Sequence, residues 1–153
     1  MRGLEPARAL RLHVNGHERV VLASAHHTLL EVLRWELDLA GAREGCGVGM
    51  CGACTVLLDG EPVSSCLLLA PLAAGREITT IEGLAGVDGS LDPVQQAFVD
   101  HNAFQCSYCT PGFVLAAKAL LAQRPSPTEA EVEEILTEMS EQTGFPIEVN
   151  AGG

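Results

Sequence analysis

The sequence predicts an α+β fold, a strand-rich first half followed by a helical second half, and three observations carry that expectation. Asn15-Gly16 and Asp59-Gly60 each lie between short apolar or alternating runs, the pattern of a tight β-hairpin. Asp92-Pro93 and Thr110-Pro111 each place a capping residue before a proline, the pattern of a helix start. The glycine-rich stretch Gly83 to Gly89 separates the two patterns, so residues 1–82 and 83–153 are expected to form two domains.

The elements follow in chain order. Arg11-Leu12-His13-Val14 alternates, turns at Asn15-Gly16 and returns as Arg19-Val20-Val21-Leu22. Thr28 and Glu31 have the spacing of a capping box, and Leu29, Leu30, Leu33 and Leu37 form an apolar stripe at helical spacing. A second hairpin is expected from Thr55-Val56-Leu57-Leu58 through Asp59-Gly60 to a strand reaching Cys66. Glu77 to Ile81 is a β-branched run and a candidate last strand. In the second half, helices are expected over Val94 to His101, Phe113 to Gln123, and from Thr128 to about Met139. The middle one is apolar nearly all round and should sit inside a bundle. Trp35, Phe98, Phe104 and Phe113 fall at helical or helix-edge positions and are expected in the core.

Composition narrows the function. Of 153 residues, 9 are basic and 20 acidic, a formal charge of −11, which argues against nucleic acid or an anionic membrane surface as partner. The apolar fraction, 47%, fits a folded chain. No run is long enough to span a bilayer: the longest, Phe113 to Ala122, is broken by Lys118. Met1 to Arg11 has no apolar segment of the signal-peptide kind, so a cytoplasmic location is expected. The six cysteines then point to metal ligation or redox chemistry rather than to disulfides. A mean hydropathy of +0.21 is high for so acidic a chain and favours buried contacts with other subunits.

Cys46, Cys51, Cys54 and Cys66 are spaced C-x4-C-x2-C-x11-C, the plant-type 2Fe–2S spacing. Two irons need four thiolates close together, three from one tight loop and one from a neighbouring element. Glycines 41, 45, 47, 49 and 52 let that loop aim its N–H groups at sulfur. A zinc site also accepts four thiolates and is the alternative. Arg43 and Glu44 flank the loop and read as solvated. Cys106 and Cys109 form a C-x2-C pair ahead of a helix start, open to three readings: a redox dithiol, half of a shared zinc site, or an inert reduced pair. The five histidines show no ligand spacing. Tyr108, between two cysteines, reads as a partly buried ring with a solvated hydroxyl.

The segment Gly45-Cys46-Gly47-Val48-Gly49-Met50-Cys51-Gly52-Ala53-Cys54-Thr55-Val56 resembles the ferredoxin loop of the small iron–sulfur subunits of molybdenum hydroxylases, the xanthine dehydrogenase, aldehyde oxidoreductase and carbon monoxide dehydrogenase type. Asp92 to Phe98, Gln105 to Gly112 and Pro125 to Glu131 are similar to further segments of that family. The resemblance implies a β-grasp ferredoxin-like domain followed by an all-α helical-bundle domain, each holding one 2Fe–2S cluster. It implies electron relay between a molybdopterin-binding large subunit and an FAD-binding medium subunit. Gln105 matches a position near the pterin, its other reading being an ordinary polar cap. Cys106 and Cys109 match half of the second cluster site. The other half is a Cys-Arg-Cys in the family, whereas this chain reads Ser140-Glu141-Gln142-Thr143-Gly144-Phe145, four residues shorter, with no cysteine after Cys109. One cluster is therefore expected on the first four cysteines, with the second site incomplete. The chain shows no nucleophile or acid–base pair for substrate chemistry. A different class of reading is a stand-alone or degenerate single-cluster carrier or structural partner.

Overall fold

The structure, a computed structural model, describes residues 7–128 together with Ala130 and Glu131. Five strands form one mixed sheet in the order β2-β1-β5-β3-β4. β1 (Arg8–Val14) and β2 (His17–Ala23) pair antiparallel, with Val14 opposite His17. Their turn holds Asn15 at φ 53° and Gly16 at φ 74°. Asp59 (φ 53°) and Gly60 (φ 87°) repeat that turn between β3 (Thr55–Leu58) and β4 (Glu61–Ser64). Two consecutive positive φ angles match the right-handed twist of the flanking strands, which is why both turns use an Asx-Gly pair. Pro62 lies in β4 at the sheet edge, where a missing N–H is tolerated. β5 (Glu77–Thr79) joins the hairpins, parallel to β1 and antiparallel to β3.

β1 and β2 alternate buried and exposed positions towards their ends, β3 is buried on both faces, and Leu12, Val14, Val56, Leu58 and Ile78 share one core. Above it lies α1 (Leu29–Glu31), continued by a five-residue π-helical stretch over Val32–Glu36. Thr28 and Glu31 form the expected capping box: Thr28 Oγ1 accepts from Glu31 N at 3.2 Å, and a Glu31 carboxylate oxygen accepts from Thr28 N at 2.7 Å. Leu29, Leu30 and Leu33 are buried as the stripe predicts, and Val32 is buried with them. This is a β-grasp-like arrangement, a mixed sheet wrapping a short helix.

Compact packing divides the chain into residues 1–119 and residues 120–153. The first unit includes α2 (Pro93–Asp100) and the start of α3 (Thr110–Gln123). Asp92 caps α2 by accepting from Val94 N at 3.0 Å, and its carboxylate pairs with Lys118 on α3. Leu115 and Ala119 of α3 pack on Leu57, with Ile81 and Leu84 at the rim. In the second unit Thr128 and Glu131 form a reciprocal capping pair, as their spacing predicts. The rest of that expected helix, to about Met139, and the Ser140–Phe145 segment lie outside the described residues.

Several expectations need correction. The helix from Leu29 is not α-helical to Leu37 but turns π-helical at Val32. The strand after Asp59-Gly60 ends at Ser64, short of Cys66. The last strand ends at Thr79, and a 3-10 turn over Ile81–Gly83 follows. Trp35 is 78% exposed, and Phe104 and Phe113 are exposed too. Helical spacing told which residues share a face but not which face is covered.

Candidate metal centre

The cluster loop runs from Gly41 to Cys54 and is pinned at both ends. At the neck, Arg43 N donates to Ala53 O at 2.9 Å. Ahead of it, Arg34 Nη1 donates to the carbonyls of Ala40 and Ala42 at 3.0 and 2.8 Å. Beyond it, buried Ser65 donates from both its N–H (3.3 Å) and its hydroxyl (2.6 Å) to Cys54 O, fixing Cys54 beside the Cys66 segment. Ser64 Oγ donates to Gly49 O at 3.2 Å, tying the loop tip to β4. Gly47, Gly49 and Gly52 take φ of 66°, 75° and 70°, the left-handed region that a side chain would strain.

This backbone turns N–H groups inward. Val48, Met50 and Cys51 donate to Cys46 Sγ at 3.5, 3.2 and 3.4 Å. Those N–H groups, Val48 first, lower the Cys46 thiol to about 6, because they stabilise its thiolate. The Cys66 thiol goes the other way, to about 11: burial is the main cause, followed by its hydrogen bond to Cys54, while Gly49 N–H opposes the rise. Cys51 lies beside Cys46, its N–H on that sulfur, and Ser65 holds Cys54 next to the Cys66 segment.

All four are free thiols, with Cys54 buried, Cys66 half-buried, and Cys46 and Cys51 exposed. A zinc site gathers four donors about one ion. Two neighbouring pairs suit a 2Fe–2S cluster, which takes two protein ligands on each iron. Donor chemistry, pairing and inward N–H groups therefore fit such a cluster on these residues.

Cys106 and Cys109 sit on the turn leading into α3, exposed and half-buried respectively. They are the only cysteines in residues 83–153, so this chain cannot supply four thiolates to a second cluster. Gln105 is exposed. Two readings made from the sequence are corrected. Arg43 is not simply solvated, since its Nη1 donates to the carbonyls of Ser107 and Tyr108 at 2.6 and 3.1 Å. The Tyr108 hydroxyl is not left to water but donates to Glu44 O at 2.6 Å. No local pattern signals either contact, because the partners lie some 64 residues apart.

Comparison with known proteins adds three findings. Residues 12–80 match the family model "2Fe-2S iron-sulfur cluster binding domain", and residues 80–151 match the model "[2Fe-2S] binding domain". The chain is 46% identical over 141 residues to the nicotine 6-hydroxylase small subunit of Paenarthrobacter nicotinovorans, covering 92% of this chain and 84% of that one. It is 44% identical over 123 residues to the nicotinate dehydrogenase small FeS subunit of Eubacterium barkeri, covering 80% and 78%. Among solved structures, quinoline 2-oxidoreductase from Pseudomonas putida 86 superposes with a TM-score of 0.83 at 35% identity, over 96% of this chain and 86% of that one. With the paired cysteines and the β-grasp-like sheet, these likenesses place the chain in the family of small iron–sulfur subunits of molybdenum hydroxylases, as an electron-transfer component of an oxidoreductase.

Proposed function

We propose that this chain carries one 2Fe–2S cluster on Cys46, Cys51, Cys54 and Cys66, and relays electrons between a molybdopterin-binding large subunit and an FAD-binding medium subunit. The observation that carries this reading is a set of free thiols on and beside one loop whose backbone turns three N–H groups onto the Cys46 sulfur. The cluster, when bound, accepts and donates one electron at a time. The residues of this chain set the conditions for that exchange. Val48, Met50 and Cys51 N–H groups hold the Cys46 sulfur and offset its negative charge. Ser65 fixes Cys54 on the buried side. Cys46 and Cys51 stay exposed, and so do the apolar residues Val48, Met50 and Leu67 around them. An exposed apolar rim beside exposed thiols suits the close docking of another protein, which excludes water from the exchange path.

On this reading residues 1–82 form the ferredoxin-like domain and 83–153 a helical-bundle domain, with Gln105 lying towards the molybdopterin of the large subunit. The assembly is cytoplasmic; among the described residues no helix is long and apolar enough to cross a membrane. Substrate chemistry belongs to the large subunit, so the isolated chain oxidises no organic substrate. Affinity purification of the tagged chain from its native host tests this. The expected result is co-purification of a molybdopterin-binding chain and an FAD-binding chain in stoichiometric amounts. A monomer holding iron and reducible on its own would instead identify a stand-alone carrier.

A further inference from the structure

Three contacts join the Cys106–Cys109 turn to the cluster loop. Arg43 Nη1 holds the carbonyls of Ser107 and Tyr108 at 2.6 and 3.1 Å, and its guanidinium stands over the Tyr108 ring, 5.4 Å from the centroid. Tyr108 returns a hydrogen bond to Glu44 O at 2.6 Å. Gly112, at the start of α3, approaches the Gly52 carbonyl so closely that a Cβ would overlap it. Ser107 meanwhile sits at φ 61°, a left-handed conformation that a serine adopts only when its surroundings fix it. A turn with two cysteines and no further thiols in its half of the chain has no complete set of cysteine ligands to hold it in that shape.

We propose that Arg43 is the positioning residue that locks the Cys106–Cys109 turn onto the cluster loop, so that protein contacts give this turn the fixed shape that a second cluster would otherwise impose. Arginine suits the task because one planar group both bonds two successive carbonyls and stacks on the ring, which a lysine ammonium does not do. Through Tyr108 and Glu44 the clamp reaches the residues that flank Cys46, so the turn and the first cluster sense one another. The proposal rests on the assignment of that cluster to Cys46, Cys51, Cys54 and Cys66.

The test uses the full-length, iron-loaded chain, its Arg43→Ala, Arg43→Lys and Tyr108→Phe variants, and three readouts. These are iron per chain, hydrogen exchange of the amides in 105–112, and the electron paramagnetic resonance spectrum of the reduced protein. Arg43→Ala should keep its iron, raise exchange in 105–112 by about tenfold or more, and shift the g-values of its single signal. Arg43→Lys should recover only part of the protection, and Tyr108→Phe, which removes one hydrogen bond, should cause a smaller change in the same direction. Unchanged exchange in Arg43→Ala or, should that variant not fold, in Tyr108→Phe overturns the proposal, as does a wild-type chain that binds four irons. A chain without iron whose 105–112 amides still open in Arg43→Ala keeps the clamp and removes the cluster assignment.

Discussion

Gly45 and Gly112 are the residues on which the geometry around the thiols most depends. A Cβ on Gly45 would meet Cys51 Sγ at 2.7 Å, so a side chain there must displace the Cys51 sulfur. At Gly112 the obstacle is the Gly52 backbone, which cannot rotate away. Gly112→Ala should therefore destabilise the chain by roughly 1–3 kcal/mol, the usual range for overpacking, read as a lower denaturant midpoint at unchanged slope. Cys51→Ser should bleach most of the visible absorption, whereas Cys106→Ser should leave it intact. Loss of colour in both variants would mean that the two cysteine groups form one site. At this scale the loop that carries Cys46, Cys51 and Cys54 was legible because its cysteines and glycines are local in sequence. Arg43 and Tyr108 were misread because their roles depend on partners far along the chain, which no spacing records.

Among the elements, those with a chemical start or stop signal were legible. Asn15-Gly16 and Asp59-Gly60 fixed both hairpins, and Thr28, Asp92 and Thr128 fixed capped turns. The parallel pairing of β1 with β5 was not, since it joins His13 to Glu77 across the whole ferredoxin-like segment. The exposure of Trp35 also escaped the sequence, because periodicity defines a face without saying what covers it. Thr28→Ala removes one side of a reciprocal cap and should cost about 1 kcal/mol in unfolding free energy. The cap of α2 carries a pH dependence. Burial would raise the Asp92 carboxyl, but the Lys118 ammonium and the Val94 N–H outweigh it and leave it below the ordinary carboxylate range. A carboxyl lowered on folding contributes stability that is present above its unfolded value, about 4, and is lost as pH falls through the folded value. The stability difference between wild type and Lys118→Ala, measured on the iron-free chain, should thus be constant near neutrality and shrink below about pH 4. A difference that persists unchanged at lower pH would mean that Lys118 acts through packing instead.

For the whole molecule, a net charge of −11 goes with exposed apolar residues, Val48, Met50 and Leu67, beside the exposed Cys46 and Cys51 thiols, which on the proposed function is where another subunit docks. The family matches span both halves of the chain, yet the cysteines are unevenly spread: four lie in the first half and two in the second. The central claim is therefore one cluster per chain, carried by the first four cysteines. Iron and acid-labile sulfide per chain, taken together with electron paramagnetic resonance of the dithionite-reduced protein, test it most directly. The account predicts about two irons, about two sulfides and a single rhombic signal. Four irons with two distinct signals, or zinc in place of iron, would contradict it.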